Sequence, residues 1–73
     1  MNPYESPEAM ARALLAGVGD PPSPRRVANV LAYLRNAAEV SVRARQTEMA
    51  IFWNRTRAEV ERESERRRVA AGG

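Results

Sequence analysis

The hydrophobic positions of this chain fall into two helical patterns, one short and one long. Over residues 7–16, Met10, Ala13 and Leu14 share one face, behind Ser6 as N-cap and Pro7 at the first helical position. The pattern stops at Gly17, and GVGDPPS over 17–23 supplies a turn. The same Ser-Pro punctuation recurs at Ser23 and Pro24, and the next 47 residues contain neither Gly nor Pro. Along this stretch Val27, Leu31, Leu34, Ala38, Val42, Met49, Phe52, Trp53, Thr56 and Val60 lie on a single stripe. Their spacing alternates between four and three, as in a coiled-coil seam, and Arg45 is the one charged residue on the line.

The pattern predicts one all-α domain over 1–73: a helix over 7–16, a turn over 17–23, a long helix over 24–70 and a short tail at 71–73. A continuous long helix would span about 65–70 Å, giving a helical hairpin with an extended coiled-coil-like arm. A second line on its first half, Val30, Tyr33, Ala37, Val40 and Ala44, offers the short helix an antiparallel bed. Ten helical residues reach only about 15 Å, to the neighbourhood of Leu34, while Trp53 would lie about 28 Å further along a straight rod. Phe52 and Trp53, the chain's only Phe and Trp, would then need cover from elsewhere.

Two geometries supply that cover. In the first, a second copy lies along the seam, so that Leu31, Leu34, Val42, Met49, Phe52, Trp53 and Val60 form a protein interface; a homodimer is favoured, and another protein is the alternative occupant. In the second, the long helix breaks and the chain folds back as a three-helix bundle. Capping-box spacings at Asn36/Glu39 and Thr56/Glu59 mark where a break could fall, near 36–47 or 54–57. With no Gly or Pro in the interval, the continuous helix is the simpler expectation.

Composition narrows the chemistry. The chain has no Cys and no His, which removes disulfides, thiolate or imidazole metal sites and imidazole acid–base catalysis. No nucleophile stands beside a base and no glycine loop could cradle phosphate, so the sequence predicts no catalysis, no cofactor and no metal. No apolar run is long enough to span a membrane, and the acidic, Pro-containing start is unlike a signal peptide; the expectation is a cytoplasmic chain without a membrane partner.

Charge is uneven. Residues 1–22 carry a net −2 and residues 23–73 a net +5, and all twelve basic residues are Arg. Arg25, Asn29, Arg35, Asn36 and Arg43, with Gln46, Asn54 and Arg57 further on, share one helical face, relieved only by Glu39. Arg and Asn are the side chains that hold phosphates and read base edges, so this face is a candidate for DNA or RNA. A solvated outer face of a helix has the same composition, and that plainer reading is the stronger. Arg25 and Arg26 oppose the helix dipole in a first turn, and Glu5, Glu8 or Asp20 is the expected local compensation.

The function expected from these features is that of a non-catalytic, self-associating helical interaction or adaptor protein. The pattern is common to small scaffolding and regulatory proteins, including those of phages. A small DNA- or RNA-binding regulator is the alternative.

Overall fold

In the computed structural model, which describes residues 2–72, the chain is all-helical. A 3-10 turn over Pro3–Glu5 leads into α1 (Pro7–Leu15), followed by α2 (Pro24–Arg43) and α3 (Thr47–Gly72). The serine caps do what their type allows. The Ser6 Oγ accepts from the Ala9 N–H at 3.1 Å, and the Ser23 Oγ accepts from the Arg26 N–H at 3.4 Å. Between these helices the left-handed residue is Gly19 (φ 91°) rather than Gly17, and Val18 is buried beneath the turn. Among the described residues Arg26 pairs with no acid; its guanidinium donates to the Gly17 carbonyl at 3.3 Å.

The long helix expected over 24–70 is two helices, and the arm does not exist. The chain reverses at Ala44–Gln46, through a C-terminal motif that normally carries glycine. Arg45 takes the left-handed conformation (φ 60°), its N–H donates to the Val42 carbonyl at 3.0 Å, and the Gln46 N–H donates to Ser41 at 2.8 Å. Among the described residues no side chain caps the start of α3; the first helical bond at that end runs from Ala50 N–H to the Gln46 carbonyl.

The energetics explain why the reversal wins. A non-glycine residue in the left-handed region costs about 1–2 kcal/mol. Folding back buries Leu34, Trp53 and Val60 against one another within one chain, each worth roughly 1.5–3 kcal/mol. The longest dimension of the molecule is 43 Å, well short of the rod.

The first helix also lies elsewhere than expected. It packs mainly on α3, with only a minor contact to α2. Its buried face is Met10, Ala11 and Leu15, with Leu14 partly covered and Ala13 exposed. Tyr4 stands beside Phe52 and Trp53, while Glu8 and Arg12 lie with Glu59, Glu63 and Arg66, so α1 runs parallel to α3. The three helices run up, down and up. The bed foreseen on α2 is left partly open: Tyr33, Val40 and Ala44 are exposed.

No break occurs at 54–57. Thr56 is fully buried, and its hydroxyl donates to the Phe52 carbonyl at 2.8 Å, a back-bond available inside a continuous helix. From Arg57 onward α3 is also supported by ion pairs along its own surface: Arg57 pairs with Glu61, Arg62 with Glu59, Arg66 and Arg67 with Glu63, and Arg68 with Glu65.

Candidate interaction surfaces

The seam read from the sequence is divided by the reversal, so that its two halves face each other. Leu34, Trp53 and Val60 are buried within the chain, and Leu31, Met49 and Phe52 pack against them as partly buried neighbours. Val42 alone is left outside, 62% exposed. A premise of the dimer argument therefore fails: Trp53 is 7% exposed in a single chain, because the rod is not straight and Tyr33 and Tyr4 reach it.

Trp53 is the centre of an aromatic cluster. Its ring meets Phe52 edge-on at 5.2 Å, Tyr33 at 6.1 Å and Tyr4 at 6.1 Å, and Tyr4 stacks on Phe52 at 6.0 Å. Such pairs contribute about 0.5–1.5 kcal/mol each beyond the area they bury. Tyr4 is a participant that the sequence reading did not single out. The signal was present in Asn2-Pro3: the Asn2 side chain accepts from the Tyr4 N–H at 3.0 Å and fixes the turn that delivers the ring.

α1 covers only one side of the α2–α3 hairpin. The other side carries a line of shallow grooves, none lined by α1. One is a 400 Å³ groove between Arg35, Glu39, Val42 and Arg43 of α2 and Asn54 and Arg57 of α3, with Ala38 on its floor. Next along are Leu31, Ala58 and Glu61, and then Pro24, Ala28, Ser64 and Arg68. The floor is apolar or small and the rims carry both signs of charge. Arg35 pairs with Glu39 at 3.9 Å across the first groove's α2 edge.

Of the residues proposed for nucleic acid, Arg35 and Arg43 meet Asn54 and Arg57 at this groove. Arg25, Asn29 and Asn36 are exposed and do not line it. The strongest electrostatic perturbation lies at Glu63, which lines a different groove together with Glu8 and Arg12 of α1. Hydrogen bonds from Arg66 and Arg67 hold the Glu63 carboxyl at about 2, and the same contact raises Arg66.

Among the described residues no group of three His, Cys, Asp or Glu could hold a metal ion, and no helix is long and apolar enough to cross a membrane. Comparison with protein-family models, with curated proteins and with solved structures finds no match for this chain.

Proposed function

We propose that this chain is a non-catalytic helical interaction protein, of the adaptor or scaffolding kind, that associates with a second copy of itself and presents its helical hairpin to a macromolecular partner. The observation that carries the reading is the one-sided cover of the α2–α3 hairpin. α1 covers one side, while Ala28, Leu31, Ala38 and Val42 line open grooves on the other, beside Arg35, Arg43 and Arg57. Two helices with apolar surface between charged rims make a bed for a further helix, one of the recurring modes of protein recognition. Arg at the rim suits an interface, because its stem covers apolar surface while its head finds a carboxylate.

Sedimentation across a range of concentrations, on the wild type and on Val42→Arg, tests this. Val42 is exposed, so the substitution leaves the fold intact. Self-association that weakens in the variant supports the reading; a monomer at every concentration removes the self-association from it.

A second reading, a small DNA- or RNA-binding regulator, has one observation in its favour: Arg35, Arg43, Asn54 and Arg57 converge from two helices on one groove. Glu39 and Glu61, paired to Arg35 and Arg57, dilute that field. Fluorescence anisotropy with mixed duplex decides it. Binding that falls steeply with salt and weakens in Arg43→Gln favours this reading, and no binding at low salt ends it.

A further inference from the structure

We propose that the α2–α3 hairpin opens at Ala44–Gln46 into one continuous helix and closes on a second copy, exchanging α3 between two chains. The inference rests on the self-association put forward above and names the partner and the route.

The hydrogen bonds of the reversal among the described residues are all backbone to backbone, and they have equal substitutes in a straight helix. In the closed turn the Arg45 N–H donates to Val42 and the Gln46 N–H to Ser41. A continuous helix merely swaps the acceptors, with Arg45 donating to Ser41 and Gln46 to Val42. Straightening also gives partners to the N–H groups of Thr47, Glu48 and Met49, the first-turn donors of α3, which lack a side-chain cap. It releases Arg45 from the left-handed region as well. No Gly or Pro opposes the change anywhere between residues 25 and 71.

The interface needed by the open form is already written. The seam keeps its four-three phase through the break, so a straightened helix carries Leu34, Trp53 and Val60 on one side. Residues of α2 and α3 that line a common groove include Ala38 with Asn54, Arg35 with Arg57, and Pro24 with Arg68. These pairs share a midpoint at residue 46, so two open helices can run antiparallel about a twofold axis there and remake each contact between chains. α1 follows its own α2 through the short 16–23 turn. Tyr4 of one chain would then stack on Phe52 of the other and meet its Trp53 edge-on. Val42 and Met49, at the ragged end of the closed hairpin, would become the middle of an unbroken seam. The two Arg45 side chains would approach one another near the axis, and this repulsion restrains exchange in the wild type.

Position 45 therefore sets the balance in both directions. Arg45→Ala removes the repulsion and favours helix, and should promote exchange. Arg45→Gly fits the closed turn and penalises the open helix in both chains, and should weaken dimerisation on the order of a hundredfold relative to Arg45→Ala.

The test uses the full chain, which has no Cys of its own, with spin labels at Ala32→Cys and Ala58→Cys, both exposed. Labelled chains are unfolded and refolded with an excess of unlabelled chains, so that only distances within one chain are read. In the closed hairpin the labels lie on adjoining helices, about 10 Å between axes. In the open helix they are 26 residues apart, about 39 Å. In the Arg45→Ala background we expect the mass to double with concentration and a population near the longer distance to grow with it. Trp53 emission should stay constant, since its neighbours are replaced like for like. Arg45→Gly should suppress both changes. A doubled mass with only the short distance overturns exchange and leaves association of closed chains standing. A monomer in Arg45→Ala up to the solubility limit overturns both, and equal dimerisation of the Ala and Gly variants overturns the role given to the turn.

Discussion

Replacing Arg45 with glycine should stabilise the dilute monomer, although it introduces glycine into a 47-residue stretch that has none. In the closed fold the residue has φ 60°, where a side chain costs about 1–2 kcal/mol and glycine costs little. Against this, glycine widens the unfolded ensemble, a loss of about 0.4–1 kcal/mol. The Arg45 side chain is exposed and makes no ion pair among the described residues, so its removal adds little. The net gain is about 0.5–1 kcal/mol, which for a domain of this size raises Tm by roughly 2–8 °C. If residues 24–70 formed one continuous helix, the same substitution would lower stability by about 0.8–1 kcal/mol. The sign of the effect thus reports the conformation of one residue. Thermal and urea unfolding followed by circular dichroism at low concentration, with Arg45→Ala as the comparison, measures it. A lower midpoint for Arg45→Gly than for Arg45→Ala would refute the reversal at this position.

Other substitutions probe the parts of the core separately. Tyr4→Ala should uncover Trp53, shifting its emission to the red and costing about 0.5–1.5 kcal/mol per lost aromatic pair; unchanged emission would show that Tyr4 does not shield the indole. Thr56→Val keeps shape and removes a hydroxyl whose only bond among the described residues is to the Phe52 carbonyl of its own helix. It should change stability by less than about 1 kcal/mol in urea unfolding, whereas a large loss would mean that the hydroxyl caps a helix break. For Glu63, Arg66 and Arg67 lower the carboxyl from the ordinary 4.5 to about 2. A depressed carboxylate stabilises the fold above the unfolded value, and that contribution is lost as pH falls from 4.5 towards about 2. A carboxyl carbon titration by NMR should therefore place Glu63 below the other glutamates, and an ordinary midpoint would mean that the two guanidinium contacts do not persist in water.

What could be read from the sequence, and what could not, divides according to where the deciding interaction lies. Helix starts are local matters. Ser6-Pro7 and Ser23-Pro24 contain both the acceptor for an orphan N–H and a residue that has no N–H to satisfy, so the all-helical class and these starts are visible without tertiary information. The reversal at Ala44–Gln46 is not local in that sense. Its marker should be glycine at the left-handed position and Ser, Thr, Asp or Asn before α3, and the chain has Arg45 and Gln46 there instead. What selects the turn is the burial of Leu34, Trp53 and Val60, which involves residues up to 26 positions apart and leaves no trace at position 45 beyond a charge out of place on an apolar line.

The seam identified its apolar residues by phase, and phase is unaffected by whether two halves of one chain or two copies supply the facing stripes. The choice between them turns on the cost of one short reversal against the cost of bringing two chains together. Closing the hairpin within a chain costs about 1–2 kcal/mol at Arg45 and a few unpaired N–H groups, whereas association forfeits the translational and rotational freedom of a molecule, at least about 4 kcal/mol at 1 M standard state. Dilute chains therefore fold back. On the exchange proposed above, concentration or a single substitution at position 45 should move that margin, which is why the residue that looked like an interruption of the seam is the one whose replacement should be measured first.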